Sequence, residues 1–307
     1  LHYPLRRQRQ MCIRDRFGEA RPLIISISIK FNNYNEDTIM QTQNWLDLNI
    51  RFLAVIFLLL ALFGNQGWAD TISGTDGDIE ISPIVHSSVQ LEYQGFVVQV
   101  DPWAPIDISH AKPADLILVT DSPGHHLDVA AIEALSKQNT SVVIAENGLS
   151  KVPNGIVAKN GDLLKVSGVT IEAVAAYDII LGAPEHPKGD ANGYVLTLGG
   201  KRFFFAGVTE CVEEVKALQG IDVAFMPMNI PLGRMTPKAA ADCTKILNPE
   251  VVYTYHFDQG WARRLADPSF TGPDLPGGLS IEDSLTAFEN ELSDTNIEFR
   301  RANWYPE

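Results

Sequence analysis

The sequence is poor in three things, and each shortage closes off a class of protein. Cysteine occurs only three times in 307 residues, at Cys12, Cys211 and Cys243. That excludes a disulfide-built scaffold and leaves two readings open, a Cys211–Cys243 bridge or two buried thiols. Basic residues are scarce as well: 24 Lys and Arg stand against 38 Asp and Glu, a formal net charge of −14. A surface of that sign repels phosphate backbones and anionic membranes, which argues against a nucleic-acid partner. Long apolar runs are the third lack. The longest, Phe52 to Gly64, is short for a bilayer span. No Ser/Gly-rich linker or low-complexity tract divides the chain after it.

What is present falls into three stretches. Residues 1–39 are rich in arginine and show no apolar periodicity, so they are expected to be a non-native leader outside the fold. From Met40, a polar segment ending at Arg51 leads into the apolar run, then into Gly67 and Ala69. That order reads as a signal peptide over 40–69 with cleavage after Ala69, and predicts a periplasmic or secreted protein. The membrane is then a partner only through this segment, if it is uncleaved. Residues 70–307 suffice for one large domain.

Short apolar runs bounded by Gly, Pro, Asn and Asp organise that domain. Ile79 to Val85, Val89 to Tyr93 and Phe96 to Val100 predict an antiparallel meander, followed by a buried strand over Leu116 to Val119. A helix over Val129 to Lys137 and a strand over Val142 to Ala145 complete the first half. The second half repeats the plan. Hairpins lie around Ser167-Gly168 and Gly199-Gly200, and a helix runs from the turn at 207–210 to Leu218. Strands at Val223 to Met226 and Val251 to Tyr255 alternate with helices at Pro237 to Leu247 and Ser280 to Leu292. Hairpins followed by βα units, twice over, predict an α/β fold in which two mixed sheets pack face to face with helices outside.

The chemistry concentrates where the first half turns from strand to helix. Thr120 to Asp128 reads TDSPGHHLD, with Asp121, His125 and His126 in a polar bend at a strand's carboxyl end. Open α/β sheets place ligands at such ends, and imidazole with carboxylate is a donor set that zinc accepts. The plainer alternative is a solvated loop in which Asp128 caps the next helix.

Taken in order, HSSVQLEYQGFVVQVDPW, LILVTDSPGHHLD, TIEAVAAYD, EHPKGDANGYVLTLGGKRFFFAGVTE, DVAFMPMN and VVYTYHF resemble the metallo-β-lactamase superfamily, and within it the ascorbate-6-phosphate-lactonase-like branch. The resemblance implies a four-layer αββα sandwich with a metal site at one edge of its two sheets. It also marks a departure. The superfamily's His-x-His-x-Asp-His motif falls on Asp121, Pro123, His125 and His126, and its bridging aspartate falls on Val208. A late histidine is kept as His256, and His186 lies in a His-Pro-Lys-Gly segment eight residues after Asp178.

By that resemblance one metal position is weak or absent, having only Asp121 with Asp178 or His186. The other would hold a single zinc on His125, His126 and His256, with the fourth place open. Asp121 and Asp178 become the catalytic candidates that orient a ligand or water. His86 is expected to contact substrate, and Arg263 and Arg264 to recognise an anionic group on it, within a lid or rim over 258–278. The leading expectation is therefore hydrolysis of an ester, lactone or amide bond in a small-molecule substrate by a water activated at one ion. Two alternatives stand beside it: a binding or scaffold protein that has lost its metals, and a metal-independent enzyme using the same Asp and His groups as acid and base.

Overall fold

The computed structural model describes residues 69–180, 185–275 and 278–304. The leader and the signal peptide expected over 1–69 lie outside the described residues, save Ala69. No helix among the described residues is long and apolar enough to cross a membrane.

The first sheet runs in chain order. Strands β1 (Asp70–Gly74), β2 (Gly77–Val85), β3 (Ser88–Tyr93) and β4 (Phe96–Val100) pair antiparallel; β5 (Ala114–Leu118), β6 (Ser136–Ile144) and β7 (Ile156–Val157) then continue parallel. The second sheet repeats the scheme. Strands β8 (Leu163–Val166), β9 (Val169–Ala176), β10 (Ala191–Leu198) and β11 (Lys201–Phe205) are antiparallel; β12 (Val223–Pro227), β13 (Val251–Tyr255) and β14 (Glu298–Phe299) are parallel. Helix α1 (Val129–Leu135) crosses from β5 to β6. Helices α2 (Glu213–Lys216), α3 (Pro237–Leu247), α4 (Gln259–Ala266) and α5 (Ile281–Leu292) follow from the second half.

The layering follows from side-chain alternation along strands that are buried on both faces. In β11, Phe203 and Phe205 enter the inter-sheet core with Ile81, Leu91 and Leu116 of the first sheet. Phe204, between them, faces the other way and packs in a second cluster with Ala240, Leu247, Leu285 and Phe288 of α3 and α5. The first sheet has its own outer layer, in which Ile117, Val119 and Ile144 meet Leu127 and Ile132. Each fully buried aromatic of this kind contributes roughly 1.5–3 kcal/mol over its exposed state. Three apolar layers separate two sheets and two sets of helices, so the αββα sandwich is the observed fold.

Local differences from expectation have simple causes. Helix α1 stops at Leu135 rather than Lys137, because the Ser136 hydroxyl folds back to the Ile132 carbonyl at 2.6 Å and the chain enters β6. Asp128 does cap α1, accepting from the Ala130 and Ala131 amides. The helix expected up to Leu218 shrinks to α2, its end tightened by the Leu218 amide donating to the Val215 carbonyl at 3.1 Å; Cys211 before it is bonded to Cys243 of α3 across a Cα separation of 5.7 Å. Segment 258–278 contains α4, where the sequence suggested a loop. Its Trp261 lines a cavity of about 320 Å³ with Phe257, Leu285, Arg301 and Trp304.

Candidate metal centre

Strand ends build the site. His86 follows β2, Asp101 follows β4, Thr120 to His126 follow β5, Asp178 follows β9 and His256 follows β13. The two sheets are stitched together at this edge: the His256 amide donates to the His86 carbonyl at 2.9 Å, and the Asn192 amide to the Thr120 carbonyl at 2.9 Å. Gly207, two residues after β11, sits here with φ +69°, and a Cβ on it would come within 3.0 Å of the Asn192 carbonyl and 3.2 Å of Thr120. His86, Asp101, Asn229 and His256 also take left-handed backbone, with φ of 56°, 44°, 58° and 52°. Each such non-glycine residue costs on the order of 1–2 kcal/mol, and surrounding packing must hold it.

Four imidazoles meet at this edge. Ring centroids are 3.9 Å apart for His86 and His256, 4.4 Å for His125 and His126, and 5.1 Å for the stacked His126 and His256. His86, His125 and His256 each offer one nitrogen, and these three atoms lie within 4.8 Å of one another. Trp103 closes one side, 5.7 Å from His86 and 6.1 Å from His125.

Carboxylates set the tautomers. Asp258 accepts from His86 Nδ1 at 2.6 Å, with both side chains 1 % exposed. Because a carboxylate only accepts, Nδ1 carries the proton. Asp101 does the same for His126 Nδ1 at 2.7 Å, and is itself fixed by the Thr120 amide and hydroxyl at 2.7 and 2.6 Å. His256 is buried with neither ring nitrogen hydrogen-bonded, and His126 Nε2 is buried and unpartnered too. Leaving such atoms bare costs about 1–3 kcal/mol each. Burial first, and the neighbouring rings second, hold His125 and His256 far below the ordinary imidazole pKa. The neutral rings of His125 and His256, converging with His86, fit a divalent cation.

A second cluster adjoins the first, close enough that His186 is among the groups that depress His125. His186 sits between two carboxylates, with Nε2 3.1 Å from Asp121 Oδ2 and Nδ1 3.2 Å from Asp178 Oδ2. The buried guanidinium of Arg234 pairs with Asp178 Oδ1 and with Glu185 at 3.1 Å. Burial alone would lower the His186 pKa, but Asp121 and Asp178 outweigh it and raise the value. Asp121 shows the reverse balance: burial opposes its charge, yet His186 and His126 bring its pKa below the ordinary carboxylate value. Glu210 accepts from the Ile179 and Ile180 amides at 2.6 and 2.8 Å and so fixes the loop that carries Asp178.

The structure thus redistributes the sequence candidates. His125 and His256 converge with His86, which sequence reading had assigned to substrate contact; His126, its Nδ1 on Asp101 as that of His86 is on Asp258, lies outside this set with a buried, unpartnered Nε2. His186 joins Asp121 and Asp178 in the ion-pair cluster. Arg263 lies over the Phe270 ring at 4.5 Å, and Arg264 donates to the Gly272 carbonyl and pairs with Asp274, so both brace the loop after α4. Asp101, Asp258 and Arg234 were missed. A carboxylate two residues after His256, and another at the end of β4, were the available signals.

Comparison with known proteins agrees with this architecture. The family model described as a beta-lactamase superfamily domain matches residues 80–256. Relatives named UPF0173 metal-dependent hydrolase include one from Bacillus velezensis, 29% identical over 215 residues, covering 63% of this chain and 91% of the relative. Another, from Korarchaeum cryptofilum, is 29% identical over 193 residues, covering 58% and 83%. A solved structure from Parabacteroides distasonis, named a candidate metal-dependent hydrolase, superposes with a TM-score of 0.64 at 34% identity, covering 76% of this chain and 97% of that one.

Proposed function

The chain belongs to the beta-lactamase superfamily, and from that premise we propose that it is a metal-dependent hydrolase holding one ion on His86, His125 and His256. The observation that carries this is the convergence of three imidazole nitrogens within 4.8 Å, one of them on a buried ring with no other partner. Zinc is the ion a three-imidazole set suits best, and it leaves one coordination place open. When bound there, such an ion supplies Lewis-acid polarisation and acidifies coordinated water.

The chain's own groups do the rest. Asp258 orients His86 through Nδ1, and Asp101 holds His126 against the ring of His256. Trp103 walls one side of the centre. Asp121 and His186 form an ion pair beside the centre, 3.1 Å apart, and they are the groups proposed to hold or pass a proton between water and a leaving oxygen or nitrogen. The substrate class proposed is a small ester, lactone or amide. Export is proposed with it, and the Cys211–Cys243 bridge supports an oxidising compartment.

The test is metal stoichiometry on residues 70–307, purified without a metal-carrying tag. One ion per chain, with hydrolysis of ester or lactone substrates, is the expected result. A folded protein that takes up no zinc on titration would replace this reading with a binding role.

A further inference from the structure

The cavity of about 320 Å³ lies where α4, α5 and the segment after β14 meet, and it adjoins the three-histidine centre through Asp258. Its walls are mainly apolar. Phe257, Trp261 and Trp304 supply aromatic rings, and Ile281 and Leu285 add aliphatic side chains. The frame around them is fixed. The Phe257 and Trp304 rings meet edge-on with centroids 6.2 Å apart, and the Asn229 amide donates to the Phe257 carbonyl at 3.4 Å and to the Ser284 hydroxyl of α5. Arg301 clamps the last segment onto α5 through Glu282 and Glu289, at 2.5 and 2.6 Å. A volume at the lower end of the ~300–1,000 Å³ of small-molecule sites, with aromatic walls, suits a compact ring system better than a long chain.

One polar atom of this wall has no use within the protein. Trp304 Nε1 is buried and has no hydrogen-bond partner. An indole N–H donates only, and a buried one normally finds an acceptor. Water does not reach it, so the acceptor must arrive on a molecule whose packing against the walls drives a small turn of the indole, an adjustment that side chains at binding sites commonly make. Charge narrows the choice. Arg301, the cation among the described lining residues, is already held by two carboxylates, while Asp258 and Glu282 disfavour an anion. We propose that this cavity binds an uncharged aromatic molecule of about two fused rings, with a carbonyl or ether oxygen that accepts from Trp304 Nε1.

This site stands whether or not the three-histidine centre holds an ion, and its test is built to fail separately. The probe is α-tetralone, an uncharged bicyclic ketone with no ester, lactone or amide bond to cleave, titrated into the full chain by calorimetry. Saturable binding at one site per chain is expected. Tetralin, the same bicycle without the carbonyl, should bind about five- to tenfold more weakly, the effect of one hydrogen bond. Naphthalene carboxylate, which carries a negative charge, should also bind more weakly than the ketone. Trp304→Phe keeps an aromatic wall and removes the N–H, so it should lose that same factor for α-tetralone and little for tetralin. Ile281→Trp fills the cavity and should abolish binding; should it not fold, Ala302→Leu is titrated in its place. His125→Ala should bind the ketone as the parent does. No saturable binding in the parent, equal affinity for α-tetralone and tetralin, or loss of binding in His125→Ala overturns the proposal.

Discussion

Two histidine–aspartate clusters lie side by side at one edge of this sandwich, built from the same residue types and similarly removed from water, yet they are electrostatic opposites. In the first, three imidazole nitrogens converge and no carboxylate enters between them; Asp258 and Asp101 stay behind the rings. In the second, Asp121 and Asp178 occupy both nitrogens of His186, and Arg234 completes the pairing. The first cluster has unsatisfied lone pairs, whereas the second has paired charges. Residue type does not separate a ligand from a structural ion pair. What separates them is whether a carboxylate faces the working nitrogen or the one behind it.

The contrast breaks most visibly on removal of a convergent ring. His256→Ala is expected to take bound zinc from one ion per chain to none, since two imidazoles do not hold zinc at ordinary concentrations. His186→Ala should leave stoichiometry at one, because its nitrogens face carboxylates. Elemental analysis of both variants checks this, and equal metal loss in the two would erase the distinction. Next in size is Asp178→Asn, which leaves the Arg234 guanidinium buried against half its partners. A destabilisation of about 3–5 kcal/mol is expected in urea unfolding, with metal content unchanged. Asp258→Asn acts on the other cluster and more gently. It is expected to weaken zinc affinity by roughly 10–100-fold while the melting temperature of the metal-free protein moves little. Competition with a chromophoric chelator reads that affinity.

How much of this was legible beforehand differs between fold and site. The Phe203-Phe204-Phe205 run and the alternation of hairpins with βα units describe local periodicities, and these are what sheets and layers are made of. The bend at Thr120 to Asp128 was also recognisable as the place where ligands gather. Which imidazoles converge was not, because His86 and Asp258 are 172 residues apart and meet only when the two sheets close. Neighbouring rings mislead as well: of His125 and His126, which leave the same turn, only His125 offers a nitrogen to the convergent set, while His126 stacks on His256 with its Nδ1 on Asp101. Arg234 sat in a Pro-Leu-Gly-Arg turn that reads as surface, and its burial follows from a carboxylate 56 positions earlier in the chain.

The finest separation of the two clusters is their opposite response to pH in the metal-free protein. For His186 the folded pKa is raised above the ordinary imidazole value of about 6.5. Its contribution to stability is complete below that value and is lost as pH rises through the folded pKa. Asp121 has a lowered folded pKa, so its contribution is complete above the ordinary carboxylate value of about 4 and is lost on acidification through the folded pKa. The pair is therefore at full strength between about pH 4 and pH 6.5. His125 and His256 have lowered folded values, so they resist acid in the other sense: stability is retained above about pH 6.5 and declines below it, as the unfolded chain takes up protons that the folded rings refuse. Melting temperatures of the metal-free parent, His186→Gln and His125→Gln across pH 4.5 to 8.5 expose the difference. His186→Gln should lose most against the parent at the acid end of this range and progressively less toward pH 8.5. His125→Gln should gain on the parent as pH falls. If both differences run in the same direction with pH, the two clusters are not the electrostatic opposites that their geometry describes.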